Sequence, residues 1–413
     1  MKLDLGKTSG HGAAGPACPS THAPSVQAGV CGAMASIRSM LKSFLLEDWL
    51  EAHAEPAPAF PLGGSTGPVW TLRNLLELDG QSSLERMLQA DVLYSRAAGT
   101  TELRQAIAQM QDVPMEHVLI MTGAAEALSH IFSVAAEPHA NVVVPAPCFP
   151  PYIVVPEALG LEVRAYRLRR EDSYEIDLDE IRRLTDSQTK IILVNSPHNP
   201  TGGIIDDTTM EALHDFSAER GIQFVSDEVY HPIYHGMTLA SASRLPTATI
   251  VGDLSKAFAL SGLRIGWIID SNKLRRERYL TAREYCTVSN SPITEFLGEI
   301  AVRNRQTILD RTREVAQEHV TLLEQVLEEH ADVVSWVRPR GGMTAFPWLA
   351  SGADSRSFCK YAAAQGLLFA PGDCFGEKEH FRIALGVGRD WYAVAMQRLG
   401  ELLSTWPAMA EGA

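Results

Sequence analysis

The sequence predicts an α/β fold: a large domain on a mainly parallel sheet, joined to a smaller α+β domain. Three observations carry this. From about residue 85, short apolar runs alternate with longer amphipathic ones, the mark of parallel strands with helical crossovers. The chain has 413 residues, too many for one compact core and suited to two domains. Its composition, 46% apolar and 21% charged, is that of an ordinary globular protein.

The elements follow in order. The amphipathic segment 41–52 (LKSFLLEDWLEA) is where helical order begins. Helices are predicted over 101–110, 124–135, 152–159 and 210–220, and strands over 117–121, 141–145, 190–195, 222–226, 247–252 and 264–269. Together they make a large domain over 68–302. A long helical stretch, about 292–330, carries Glu and Arg on one face and leads to the smaller domain, formed by 41–67 and 303–405. There 333–337, 343–348, 367–370 and 381–385 are predicted strands, and 391–403 a closing helix. Residues 406–413 are expected to be a tail. Residues 1–40, rich in Gly, Ala, Ser, Pro and His, are expected to be a disordered tail or extra sequence before a start at Met34 or Met40. They lack the apolar stretch of a secretory signal and are poor in Arg.

The bulk numbers narrow the function. A formal net charge of −14 repels phosphate backbones, so nucleic acid is excluded as a partner. No apolar run is long enough to span a membrane. The six cysteines show neither CxxC nor any other metal spacing; free thiols in a reducing cytoplasm are expected, and no metal.

Ligands of open parallel sheets bind at the carboxyl ends of the strands. The unusual residues Gly123, Asn199, Asp227 and Lys256 fall just after predicted strands. Lysine is scarce, with eight in the chain, and Lys256 stands in the apolar run IVGDLSKAFAL, where it is costly unless paired or covalently used. Alone it would read as a snorkelling lysine. Eight residues on stands Arg264, in GLRIGW, a fork suited to phosphate. Lys256 can form an imine with an aldehyde. Asp227, in SDEVY after a strand, is either a salt-bridged structural carboxylate or the partner of a protonated pyridine nitrogen. Tyr230 can donate to a phenolate oxygen. In NSPHNPTGG two prolines and the glycines force a rigid turn that aims Asn199; Asn195 and His198 read as turn residues. TGAAEA, at a strand-to-helix junction, lets backbone amides approach an anion at a helix N-terminus.

Taken together, NSPHNPTGG, SDEVY and LSKAFALSGLRIGW resemble the class I/II aminotransferases among the fold-type-I pyridoxal-phosphate (PLP) enzymes, over nearly all of residues 41–405. The resemblance implies the PLP-dependent transferase fold type I, with a mainly parallel seven-stranded sheet. It implies pyridoxal 5′-phosphate as cofactor and a homodimer with shared active sites. Lys256 would form the Schiff base and shuttle the Cα proton, and Asp227 would pair with the pyridine nitrogen. Tyr230 and Asn199 would bond the ring oxygen. Gly123, Ala124 and Ala125 would hold the phosphate by their amides, with Ser255 and Arg264. Phe149 would stack on the ring, and Tyr94 would reach the neighbouring subunit's phosphate; without the resemblance these two read as core and surface. Arg382, in FRIALG, would clamp the substrate carboxylate, with Asn199 beside it and the side chain near Gly64–Thr66.

The implied activity is transfer of an amino group from an L-α-amino acid to a 2-oxo acid by a ping-pong cycle through imines. A looser likeness, in LLEDWL, GGSTG and DEVYHPIYHG, is to capreomycidine-synthase-type cyclases, which implies elimination and cyclisation of a hydroxylated basic amino acid. A non-catalytic aminotransferase-like regulator is a third reading; residues 1–40 are too short and weakly basic for its DNA-binding module. His231 and His235 read as turn or surface residues. One residue departs from the family. Many relatives place a hydroxyl two residues before Ser255, where this chain has Asp253. A carboxylate about 4 Å from a phosphate charge costs roughly 4 kcal/mol at an effective dielectric of about 20. Asp253 is therefore expected to point away from the phosphate or to bond nearby backbone amides.

Overall fold

Seven strands build the central sheet of this computed structural model, which describes residues 41–80 and 82–410. They are β1 (Val118–Met121), β2 (Asn141–Ala146), β3 (Glu162–Arg167), β4 (Thr189–Asn195), β5 (Gln223–Asp227), β6 (Thr249–Asp253) and β7 (Gly266–Ile269). Their order across the sheet is β1-β7-β6-β5-β4-β2-β3. β7 runs antiparallel to β1 and β6, and every other pair is parallel. The fold is therefore α/β with a mainly parallel sheet, as expected.

Six of the seven strands lie on predicted runs, with ends shifted by one or two residues. The unpredicted one is β3. It is one of two edge strands, and its sequence EVRAYR is half-exposed, with Arg164 paired to Glu162 and Asp186. A half-exposed edge carries no continuous apolar run, so its signal is faint, whereas the other edge strand, β1, is buried throughout. The helix Lys273–Glu284 was also not predicted, because KLRRERYLTARE buries only Tyr279 and Arg283.

Two large apolar clusters hold the structure, with a small third one at Leu46, Phe346 and Phe375. Ile120, Val143, Ile192, Val225, Ile250 and Ile268 stack through the sheet. Leu323, Phe358, Phe369, Phe381, Ile383 and Leu399 form the second cluster. The predicted stretch 292–330 is two helices, Pro292–Arg303 and Arg305–Glu329, broken at Asn304, whose side chain bonds the Ile300 carbonyl at 2.9 Å. The longer helix joins the clusters: Ile308 and Ala316 belong to the first, Val320 and Leu327 to the second.

Around the second cluster the predicted strands are shorter and split. Residues 343–348 give Thr344–Ala345 and Trp348–Leu349, parted at Pro347. Residues 367–370 give Leu367–Leu368, which pairs with Phe60–Pro61, and Ala370–Pro371, which pairs with Phe381–Ala384. The opening helix is Leu45–Ala52; its Trp49 donates Nε1–H to the Phe369 carbonyl at 2.8 Å. The closing helix is longer than predicted. It runs Tyr392–Ala410, into the stretch expected to be a tail, because Trp406 packs its ring on Phe358 and Tyr361. The expected N-terminal tail, 1–40, lies outside the described residues. Among the described residues no helix is long and apolar enough to cross a membrane.

Candidate active site

The parallel strands β4, β5 and β6 end at Asn195, Asp227 and Asp253, with Asn195 opposite Asp227 in register. Asn195 ties the following turn to the sheet. Its Nδ2 donates to the Asp227 carbonyl at 3.0 Å, and its Oδ1 accepts the Asn199 N–H at 2.9 Å. His198 stays inside the turn, against Thr201 Oγ1. Both are turn residues, as the sequence indicates.

A cavity of about 300 Å³ opens over these strand ends. Phe149, Asn199, Asp227, Tyr230 and Lys256 line it. So do Gly64, Ala124, Ala125, Ser255, Arg264 and Arg382. Eleven of the thirteen residues singled out in the sequence thus share one cavity; Gly123 and Tyr94 are the two outside its lining. Gly123 is the first residue of the helix behind Ala124. Tyr94 is 84% exposed on the surface of this chain.

Asp227 is buried to 2% exposure. Its Oδ2 accepts the Tyr152 hydroxyl at 2.7 Å and its Oδ1 the Val229 N–H at 3.1 Å. Burial pushes its carboxyl up to about 7, against the pull of these donors. A buried carboxylate with only neutral donors needs a cation to be ionised fully at neutral pH, and a protonated pyridine nitrogen is one. The buried Tyr230 hydroxyl has no hydrogen-bond partner among the described residues, which suits an oxygen acceptor on a ligand.

At the other side Arg382 is 2% exposed. Its Nη2 donates to the Gly63 carbonyl at 2.6 Å and its Nη1 to Asn199 Oδ1 at 3.0 Å. The Phe375 ring lies 4.8 Å from its guanidinium carbon, and its buried Nε has no partner among the described residues. With Oδ1 taken, the Asn199 amide has Nδ2 to offer a ligand oxygen. Burial lowers the Arg382 pKa; Tyr230, Cys374 and Glu47 act in the opposite direction.

A third group converges on the helix Gly123–Ala135. Gly123 has φ +78°, and a Cβ there would lie 2.6 Å from Arg264 Nη2. Arg264 Nη1 donates to Ser255 Oγ at 3.4 Å and to the Ser261 carbonyl at 3.2 Å. A guanidinium, a hydroxyl and a helix N-terminus at one end of the cavity suit a phosphate. Asp253 does not disturb this: its Oδ1 accepts the Ser255 N–H at 3.0 Å, the backbone bond expected from the sequence. Burial raises its carboxyl, while Lys256 and Arg264 pull it down. The residues present therefore fit pyridoxal phosphate at three points: a carboxylate for the ring nitrogen, a phenol for the ring oxygen, and a cradle for the phosphate.

Sequence reasoning missed three residues. Tyr152 reads as an ordinary helix residue in PCFPPY, and nothing in its spacing marks the bond to Asp227. Ser65 lies between Gly64 and Thr66, in a segment that was singled out, and accepts from Lys256 Nζ at 3.1 Å. Glu47, beside the buried Leu46, lines the cavity from the opening helix. His231 and His235 do not line the cavity. His231 Nδ1 meets Tyr234 Oη at 2.9 Å and His235 Nε2 meets the Gly342 carbonyl at 3.0 Å, so both belong to the turn after Tyr230.

Comparison with known proteins agrees with this geometry. The family model for aminotransferase class I and II matches residues 76–399. Capreomycidine synthase of Streptomyces vinaceus is 30% identical over 369 residues, covering 87% of this chain and 93% of that protein. The arginine–pyruvate transaminase AruH of Pseudomonas aeruginosa is 27% identical over 336 residues, covering 77% and 84%. The crystal structure of a PLP-dependent aminotransferase from Streptococcus suis superposes with a TM-score of 0.83 at 26% identity, covering 88% and 98%.

Proposed function

The chain belongs to the class I and II aminotransferase family, and from that premise we propose that it moves the amino group of an L-α-amino acid to a 2-oxo acid, with pyridoxal 5′-phosphate as cofactor. The observation that carries this reading is that one cavity holds Lys256, Asp227 and Tyr230 together with the buried fork of Arg382. When bound, the cofactor supplies an electron sink for the bond pair at the substrate Cα. Asp227 keeps the ring nitrogen protonated, with Tyr152 holding the carboxylate in place. Tyr230 Oη and Asn199 Nδ2 orient the ring through its oxygen, and Phe149 covers its face. Arg382 binds the substrate carboxylate in a bidentate pair. Lys256 Nζ takes the proton from Cα and would deliver it to C4′ on the same face. Arg264, Ser255 and the amides at Gly123–Ala125 anchor the phosphate.

The substrate class follows from Glu47. Glu47 is an exposed acidic residue among those lining the cavity, and an acid there suits a cationic side chain. That an arginine–pyruvate transaminase is among the relatives supports a basic amino acid. A second reading, elimination and cyclisation of a hydroxylated basic amino acid, is favoured by the likeness to capreomycidine synthase over 87% of the chain. The active unit is a homodimer in this reading, with the exposed Leu88, Val92, Leu93 and Tyr94 turned to the partner; light scattering of the purified protein tests it.

One experiment separates the activities. The holoenzyme is given arginine, ornithine, 3-hydroxyarginine or leucine without any oxo acid. Conversion of the cofactor to pyridoxamine phosphate by the basic amino acids, with little by leucine, is the expected result. A cyclised product with unconverted cofactor selects the second reading. Equal conversion of leucine, or a Glu47→Gln variant that still prefers basic amino acids, overturns the substrate class.

A further inference from the structure

We propose that Ser65 is a positioning residue for the amine of Lys256, which rests on the reading of Lys256 as the Schiff-base lysine. Lys256 Nζ donates to Ser65 Oγ at 3.1 Å, and Ser65 is buried, with 7% exposure. The two residues come from opposite ends of the architecture. Lys256 follows β6, whereas Ser65 belongs to the segment Gly63–Gly67, ahead of residues 76–399 matched by the family model.

That segment is clamped on both sides. A Cβ at Gly67 would stand 2.6 Å from Ala259 Cβ, in the loop that carries Lys256. A Cβ at Gly386 would stand 2.3 Å from the Thr66 carbonyl. The Gly63 carbonyl accepts Arg382 Nη2 at 2.6 Å. One short backbone run thus fixes two groups at once: Gly63 steadies the arginine that receives the substrate carboxylate, and Ser65 steadies the amine that meets the substrate Cα. Holding both from one rigid segment sets the distance between carboxylate and base, which is what proton transfer at Cα requires. The lysine stem has four rotatable bonds, so an amine released from the cofactor has many positions open to it. A hydroxyl acceptor at a fixed point selects one of them. Ser65 neither gains nor loses a bond in the reaction; Nζ takes the proton from Cα and passes it on toward C4′.

Three variants test this: Ser65→Ala, Ser65→Thr and Lys256→Ala, each checked for an unchanged melting temperature. The first readout needs no turnover: the rate at which apoprotein forms an imine with added pyridoxal 5′-phosphate, followed by its visible absorbance. The second is the kinetic isotope effect on kcat with Cα-deuterated substrate. Ser65→Ala is expected to slow imine formation roughly fivefold, the worth of one ordinary hydrogen bond. It should also raise the isotope effect while leaving KM within about twofold, because binding energy is untouched and proton transfer is slowed. Ser65→Thr should restore both. Wild-type rates and isotope effects in Ser65→Ala would overturn the proposal. So would equal impairment in the Ala and Thr variants, which would assign the effect to packing. A Lys256→Ala variant that keeps the imine absorbance would overturn the reading of Lys256 itself, and with it the inference.

Discussion

The Tyr152 hydroxyl donates to the Asp227 carboxylate at 2.7 Å, with both side chains buried. Burial outweighs this bond and holds the carboxyl up at about 7; the hydroxyl is the larger of two donors, with the Val229 N–H, that keep it from rising further. Tyr152→Phe removes a donor that favours the charged form. The carboxyl then titrates above 7, and less of it is ionised to meet a protonated ring nitrogen. Affinity for pyridoxal phosphate is expected to fall roughly tenfold at pH 7, the worth of a hydrogen bond to a charged group. The loss should shrink toward pH 9, where the variant's carboxyl is again ionised. Fluorescence titrations of the apoprotein at pH 7 and pH 9 check this; an equal loss at both would show that Tyr152 acts by shape alone.

The same carboxyl links apoprotein stability to pH. In the unfolded chain Asp227 titrates near its ordinary value of 3.8, and in the fold at about 7. Between those values the folded chain keeps a proton that the unfolded chain has released. Asp227 is therefore least harmful to stability below about pH 4, and its contribution falls as pH rises to about 7. Asp227→Asn removes this dependence. The stability of the Asn apoprotein relative to wild type should rise between pH 5 and pH 8 by roughly 2.5 kcal/mol, for the part of the pKa difference, about two units, that lies above pH 5. Urea unfolding at both pH values measures it. A difference that does not change with pH would mean that Asp227 is ionised throughout.

What was legible in the sequence was what local chemistry dictates. Lys256 stood out because an amine in an apolar run needs a reason, and Asn199 because its prolines leave the chain one path. The strands β1, β2, β4, β5, β6 and β7 were visible because burial on both faces demands continuous apolar runs, and this holds even for β1, a buried edge strand. β3 was hidden because the opposite edge is half-exposed and carries no such run. Tyr152 and Glu47 were hidden for a different reason. Their partners lie far along the chain, and a helix residue declares its face but not what it meets. The bond between Lys256 and Ser65 spans 191 positions, so no spacing rule could contain it.

Arg382 and Asn199 form the receptor for the substrate carboxylate in the proposed reaction, and their geometry makes a sharp expectation. The guanidinium uses Nη1 and Nη2 on Asn199 and Gly63 and stacks over Phe375. Lysine keeps the charge but has neither the planar fork nor the stacking face. Arg382→Lys is expected to lower kcat/KM by about a hundredfold or more, chiefly through KM, since a bidentate charged pair is lost. Steady-state kinetics with the best amino acid decide it. An unchanged KM would remove Arg382 from the carboxylate site.

Gly123 and Arg264 meet so closely that a single methyl group tests the phosphate cradle. At Gly123 the backbone is left-handed, with φ +78°, and a Cβ would stand 2.6 Å from Arg264 Nη2. Alanine there carries a strain of about 1–2 kcal/mol from the backbone alone. It also drives the guanidinium off the point where it faces the helix N-terminus. Ser255 Oγ and the Ser261 carbonyl hold Arg264 on its other side, so it cannot move away without losing them. Gly123→Ala should therefore weaken binding of pyridoxal 5′-phosphate at least tenfold, or about 1.4 kcal/mol. Pyridoxal, which lacks the phosphate, does not use the cradle, and its weaker affinity should change little. Parallel titrations with the two compounds separate a damaged cradle from a damaged fold. If both weaken equally, the glycine serves the helix start and not the phosphate.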